Sequence, residues 1–360
     1  MEPILIIIIV LASLWCSYLV VEMILVKVMR KKFKHIIYIN GTRGKSTVTR
    51  LIGSALRENG FKVFTKVTGS RAVTIDANGV ETKIVRHGNA NIREQIKTMW
   101  WALKNNCDCL VLECMAVRTE YQRISQNMML NSDIGIITNA RLDHTEEMGE
   151  SVYEIANALS NTIPTNGILV IPKELVNQYT PICKDRNTKI VSCFVDEQDD
   201  TIDFIRINKK LALSVCIELG ISEENALKAM EHYKEDVGAL KVYNREGTAF
   251  INGFAINDPD SIKKVYKKML LAYPNEDITF LINNRSDRPI RALQHIDLLN
   301  ELKPKKVYVV GAFKHSFKKR VNTNVEYVKN FDLLTDNIIF GIGNIKGPGS
   351  DILNYFEKAG

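Results

Sequence analysis

Residues 36–47, Ile-Ile-Tyr-Ile-Asn-Gly-Thr-Arg-Gly-Lys-Ser-Thr, constrain the fold more than any other stretch of this chain. Strand-favouring residues run into Asn40, two glycines bracket Thr42 and Arg43, and a helical pattern follows at once. That helix carries Val48, Leu51, Ile52, Ala55 and Leu56 on one face, with Gly60 as its stop. Glycines let backbone N–H groups approach an anion, and a helix N-terminus favours negative charge. Gly41-Thr42-Arg43-Gly44-Lys45-Ser46-Thr47 therefore reads as a compact P-loop, its first glycine two residues closer to Gly-Lys-Ser than in the common pattern. Lys45 would meet the β/γ-phosphates of ATP and Ser46 would ligate Mg2+. The competing reading is a chance glycine turn before a helix.

Further apolar runs at 61–65, 109–113, 134–139 and 168–171 alternate with helical patterns, the signature of a parallel sheet wrapped by helices. One helix spans 91–106, with Ile92, Ile96, Met99, Trp100 and Leu103 as its core stripe. Another opens at the capping box Ser151…Glu154 and sets Val152, Ile155, Ala156 and Leu159 on one side. A polar interval, 196–203, precedes a helical segment at 208–219. A second α/β series begins near Gly247, with strands at 249–251, 278–282, 307–310 and 338–342 and helices at 261–272, 291–301 and 351–358. The expected fold is α/β, a P-loop parallel-sheet ATPase domain over 35–243 followed by a smaller α/β domain over 244–360.

Residues 1–30 read as one transmembrane helix. From Pro3 to Val21 the only ionisable groups are Cys16 and Tyr18, and at about 1.5 Å per residue some twenty residues cross roughly 30 Å of hydrocarbon. A signal peptide is the alternative, but no basic segment precedes the apolar run and no small-x-small cleavage site follows it. Lys27, Arg30, Lys31, Lys32 and Lys34 follow the span while Glu2 precedes it, which places the remainder in the cytoplasm. Seven cysteines without a C-x-x-C pair agree with a reducing compartment. The net charge of +7 does not choose among anionic substrate, phospholipid and nucleic acid.

Glu113 closes the third apolar run, and Asn139-Ala140-Arg141-Leu142-Asp143-His144 follows the fourth. Both lie at C-terminal strand ends, where ligands gather in a doubly wound sheet. A carboxylate there can complete a magnesium site, and a neutral imidazole can be a further ligand. In the second domain Arg285, Asp287, Arg288 and Arg291 cluster after a strand, and Asn257-Asp258-Pro259 opens a helix. Arginines suit carboxylate or phosphate, against the alternative of surface arginines paired with Asp287 and Asp297.

Gly-Thr-Arg-Gly-Lys-Ser at 41–46, Glu113 at a strand end, and Thr138-Asn139…Asp143-His144 resemble the Mur ligase and folylpolyglutamate synthase superfamily. Residues 88–95, 112–117, 252–261, 281–288 and 341–347 resemble its CapB/PgsB branch, the ligase subunit of poly-γ-glutamate synthase. The resemblance implies a Mur-type fold and an amide ligase using ATP and Mg2+. A glutamate γ-carboxylate would be phosphorylated and the acyl phosphate attacked by an amine. It implies nucleotide contacts from Gly41, Thr42, Arg43, Gly44, Lys45, Ser46, Thr47 and Asn139. Asn208 matches an adenine-contacting asparagine, with a polar helix cap as its other reading. Metal ligands would be Ser46, Glu113 and His144, and catalytic groups Lys45, Glu113, His144, Arg285, Asp287 and Arg288.

The implied partners are glutamate, the growing polymer, the membrane, and membrane subunits resembling CapC and CapA. No nucleic acid is expected, and homo-oligomerisation is left open. Two features depart from the family. Residues 153–163 hold no lysine where Mur-type ligases usually carry a carbamylated one to bind a second magnesium, and Leu159 stands near that place. Val237-Gly238-Ala239 stands where Pro-Gly-Arg is usual. Rival readings are a membrane-bound capsule-regulating tyrosine kinase, which the single Tyr355 in the last thirty residues disfavours, a cytosolic folate-type ligase, and a nucleotide-gated scaffold.

Overall fold

The computed structural model describes residues 3–69, 71–86, 88–194, 204–236, 238–256 and 258–357. Glu2, Val237, Asn257, Lys358 and the polar interval 196–203 lie outside the described residues. Contacts divide the chain into a first unit that ends at Lys234 and a second that begins at Glu235.

In chain order the first unit contains α1 (Pro3–Arg30), β1 (His35–Asn40), α2 (Lys45–Glu58), β2 (Val63–Val67), β3 (Val73–Ile75), β4 (Glu81–Lys83), α3 (Glu94–Lys104) and β5 (Cys109–Glu113). It continues through α4 (Thr119–Ile124), β6 (Ile134–Ile137), α5 (Thr145–Met148), α6 (Val152–Leu159), β7 (Ile168–Pro172), α7 (Val176–Asp185), β8 (Lys189–Cys193), α8 (Phe204–Glu218) and α9 (Glu223–Glu231). The sheet order is β4-β3-β2-β5-β1-β6-β7-β8, parallel from β2 to β8, with β3 and β4 added antiparallel at one edge. β1 is central, paired with β5 through Ile39↔Glu113 and with β6 through Asn40↔Ile137. This order brings three distant segments to one sheet edge.

Helices cover both faces. Val48, Leu51, Ile52, Ala55 and Leu56 of α2 pack with Leu211, Val215 and Cys216 of α8 and Met230 of α9. On the other side Ile155, Ala156 and Leu159 of α6 pack with Tyr179 and Cys183 of α7. Each fully buried aliphatic side chain contributes about 1.5–3 kcal/mol. The Ser151 capping box forms as the sequence specifies, but Val152 is exposed, because a first-turn residue faces outward there. Trp100 is also at the surface, with Lys104 over its ring, while Gln95, Thr98 and Met99 are buried.

The 28-residue α1 is long and apolar enough to cross a membrane, with a mean hydropathy of 2.8 in its apolar window and no part of that window buried. Its C-terminal end is held: Arg30 donates to Asn131 O at 2.9 Å and pairs with Asp133 at 2.6 Å, and Asp133 accepts from Ile36 N at 2.7 Å. Glu22 and Tyr18 pair with Arg93. All seven cysteines are free. Burial pushes the thiols of Cys183 and Cys216 up, to about 11 and about 12, which keeps them protonated and unreactive.

The second unit contains β9 (Lys241–Arg245), β10 (Thr248–Asn252), α10 (Pro259–Ala272), β11 (Ile278–Asn284), α11 (Pro289–Leu302), β12 (Lys306–Gly311), α12 (Lys314–Arg320), β13 (Asn324–Tyr327), β14 (Ile338–Gly343) and α13 (Pro348–Glu357). Its sheet runs β13-β12-β11-β14-β10-β9, parallel except for β9. Phe250 of β10 stacks on Phe356 of α13 with ring centroids 4.6 Å apart, which seats the C-terminal helix on the sheet.

Candidate active site

The loop from Gly41 to Gly44 is held from three sides. Asn40, at the end of β1, accepts from Gly41 N at 2.8 Å through Oδ1 and donates to Gln122 at 2.8 Å and Thr162 at 3.2 Å through Nδ2. β6 stops at Ile137, and Thr138 and Asn139 turn to grip the loop. Asn139 Oδ1 accepts from Thr42 Oγ1 at 2.6 Å and Arg43 N at 3.1 Å, and its Nδ2 donates to Arg43 O at 3.0 Å. Asn139 thus shapes the loop from behind. A Cβ on Gly41, at φ 129°, would lie 2.1 Å from Thr138 Oγ1. One on Gly44, at φ 77°, would lie 2.5 Å from Asn208 Oδ1. Both glycines are required by conformation and by space.

Asn208 is therefore a neighbour of the loop. It lies inside α8, not at its start, so the helix-cap reading is set aside. Arg43 pairs with Asp143 at 3.2 Å, and Lys45 Nζ donates to Gly41 O at 2.6 Å, lying over the loop.

Ser46 and Glu113 come together. Glu113 Oε2 accepts from Ser46 Oγ at 3.0 Å, from Thr68 N at 2.6 Å and from Gly69 N at 3.2 Å. Gly69 leaves a cradle over this pair, since a Cβ there would lie 2.2 Å from Ser46 Oγ and 3.7 Å from Glu113 Oε1. A hydroxyl and a carboxylate in contact are hard oxygen donors that suit Mg2+. His144 has positive φ at the start of α5, 4.0 Å from both Asp143 and Glu147. Among the described residues no three His, Cys, Asp or Glu side chains group as a metal set by themselves.

Thr68 and Gly69 escape sequence reasoning, as does Lys66. Lys66 is wholly buried at the end of β2, with Nζ 3.2 Å from Gln95 Oε1, 3.3 Å from Glu94 Oε2 and 3.5 Å from Met115 Sδ. Glu94 is also gripped twice by Arg86, at 2.6 and 2.9 Å. Burial pushes the Lys66 ammonium down to about 8. Val67-Thr68-Gly69, a strand end running into glycine, was the available signal for the Glu113-binding amides.

In the second unit Arg285, Arg288, Arg291 and buried His295 line a small pocket with Asn283, Asn284 and Asn344, at the C-terminal ends of β11 and β14. Arg285 also binds Asp287 twice, at 2.8 and 2.5 Å, holding that carboxyl below its usual range. Arg285 thus already has a carboxylate partner at the surface.

A glycine-turn loop on a central strand, flanked by a hydroxyl–carboxylate pair at the C-terminal strand ends, is the site of a nucleotide-binding α/β protein, and the relatives below make it an ATP-dependent amide ligase of Mur type. Residues 39–225 match the Mur ligase middle domain, and residues 237–359 match the poly-gamma-glutamate synthase CapB C-terminal domain. The chain is 33% identical to PGA synthase CapB of Bacillus subtilis, covering 89% of each protein. It is 32% identical to the capsule biosynthesis protein CapB of Bacillus anthracis, covering 88% of this chain and 75% of that one. It belongs to the CapB family.

The fold is also that of Escherichia coli FolC in complex with ADP (TM-score 0.72, 15% identity, 96% of each chain). The same holds for the Yersinia pestis folylpolyglutamate synthase/dihydrofolate synthase complexed with AMPPNP and Mn (0.71, 14%, 92% of this chain and 90% of that one). MurF of Acinetobacter baumannii gives 0.65 at 15% identity, over 92% and 80%. The family membership sets aside the tyrosine-kinase reading, and Tyr355 packs in α13 against Phe356 with Arg245 over its ring.

Proposed function

We propose that this chain extends poly-γ-glutamate by activating a glutamate γ-carboxylate with ATP. The observation that carries the reading is the contact between Ser46 and Glu113 at the mouth of the phosphate loop, in a chain of the CapB family. A carboxylate oxygen attacks the γ-phosphorus, and the bridging oxygen leaves on ADP. The amine of the next glutamate then attacks the acyl carbon, phosphate departs, and the nitrogen loses its proton to solvent. Bringing a carboxylate to a triphosphate is opposed by charge, so positioning and charge neutralisation are the main demands.

Lys45 leaves the Gly41 carbonyl for the β/γ-phosphates, and the N-terminal amides of α2 supply further donors. Ser46 and Glu113, with His144, would hold the magnesium ion, which supplies charge neutralisation at the phosphates. Asn139 keeps the loop in shape, and Asn208, beside Gly44, would contact the adenine. Arg288 and Arg291 bind a carboxylate of glutamate in the pocket of the second unit. Asp287 orients Arg285 beside them.

α1 anchors the chain with the basic residues 27–34 at the cytoplasmic side, where membrane subunits resembling CapC and CapA would receive the polymer. Membranes carrying this chain and those subunits, given ATP, Mg2+ and glutamate, should yield a glutamyl hydroxamate when hydroxylamine is added. Lys45→Ala should abolish it while leaving the fold intact. A Lys45→Ala protein that still traps hydroxylamine at the full rate would refute the loop assignment.

A further inference from the structure

The chain's formal excess of +7 equals the excess of one segment. Residues 303–331 hold eight lysines and arginines and one acidic residue, Glu326, so the rest of the chain balances to zero. This segment is β12, α12 and the edge strand β13 of the second unit. Two of the eight are matched: Lys305 pairs with Asp277 at 2.7 Å, and Lys306 lies 3.3 Å from Asp336 and 3.4 Å from Glu326. Lys303, Lys314, Lys318, Lys319, Arg320 and Lys329 have no acidic partner within ion-pair distance among the described residues. All but Lys314 are exposed.

The patch continues from the arginine pocket. Ala312 N, just before α12, donates to Asn284 O at 2.9 Å, and Asn284 lines that pocket. At the far end Asn300 of α11 donates to Arg320 O at 2.9 Å, which ties the C-terminal end of α12 to that of α11. A folded surface holding six unmatched cations repels itself, which favours an anionic partner with repeated charges.

We propose that α12 and its flanking strands bind the growing product itself, a γ-linked glutamate chain with one free α-carboxylate per residue, led off from the arginine pocket. This rests on the proposed ligase reading. Continuity with the pocket favours the product over a lipid surface. Many weak, exposed contacts would retain the chain between additions without fixing its register, and salt would weaken them.

The test uses the full chain in phosphatidylcholine nanodiscs, with fluorescein-labelled poly-γ-glutamate followed by anisotropy at low and high salt. The Lys318→Gln/Lys319→Gln/Arg320→Gln protein should bind the polymer on the order of tenfold more weakly at low salt. In membranes with the partner subunits it should make shorter polymer at an unchanged rate of hydroxamate formation. Polymer binding equal to that of the unsubstituted chain would overturn the proposal. So would loss of binding to phosphatidylglycerol vesicles alone, which would make the patch a membrane contact. Failure of hydroxamate trapping in the unsubstituted chain would instead strike the ligase reading and leave the binding result standing.

Discussion

The hydroxyl of Ser46, in the first turn of α2, donates to the carboxylate of Glu113 at the end of β5 across 3.0 Å. The same oxygen receives the amides of Thr68 and Gly69, so one carboxylate joins the phosphate loop, strand β5 and the segment after β2. Glu113→Gln removes the charge and offers at most one acceptor oxygen. ATP-dependent hydroxamate formation should fall by roughly 10- to 100-fold. The magnesium concentration for half-maximal rate should rise, and His144→Ala should move it the same way. Unchanged magnesium titrations for both variants would refute the ligand assignment.

Gly69 isolates the cradle from the charge. An alanine there places a methyl 2.2 Å from Ser46 Oγ and beside Glu113, so the hydroxyl must rotate away. Nothing in the hydrophobic core is touched. Gly69→Ala should weaken ATP binding in the presence of magnesium by about tenfold while the melting temperature stays within a few degrees. Calorimetric titration with ATP reads the first and a thermal scan the second; wild-type affinity would show that the space over Ser46 is not used.

The sequence spoke most clearly where both faces of a strand are buried. β1, β5 and β6 are nearly continuous apolar runs because helices cover them on two sides, and such runs stand out from their surroundings. β3, β4, β8, β9 and β13 do not stand out in the sequence: they are short or lie at sheet edges, and their exposed positions carry polar residues such as Lys189, Asn244 and Glu326. Helical spacing places Trp100 on the core stripe, yet it lies at the surface with Lys104 over its ring. In the site, Lys45, Ser46 and Glu113 declare themselves by side-chain chemistry. Thr68 and Gly69 act through backbone N–H groups, which nearly every residue carries. Lys66 looks like a surface lysine until strand order places it under α3.

Leu159 lies 1% exposed on α6, packed with Ile155, Ala156 and Ile163, near where the family's carbamylated lysine would be expected. A lysine there would bury an ammonium among aliphatic groups. Leu159→Lys should destabilise the first unit by about 3–5 kcal/mol, read by chemical denaturation. With no amine on this helix to react, product formation by the unsubstituted chain should not depend on bicarbonate. A bicarbonate requirement, or a gain of activity in Leu159→Lys, would mean that this helix serves the site differently.

Lys66 gives the stability of the first unit a pH signature. Burial lowers its pKa from 10.5 to about 8, although Glu94 beside it pulls the other way. Below about pH 8 the lysine is protonated in both folded and unfolded chains, and the cost of the buried charge is constant. Between about 8 and 10.5 the unfolded chain holds a proton that the folded chain has released, so this group makes stability rise with pH, by at most about 3 kcal/mol across the window. Lys66→Met should abolish that rise, and Arg86 would still satisfy Glu94 through its two hydrogen bonds. The quantity to measure is the difference in unfolding free energy between variant and unsubstituted chain from pH 7 to pH 10. A flat difference would mean that the Lys66 ammonium is solvated or fully compensated by Glu94.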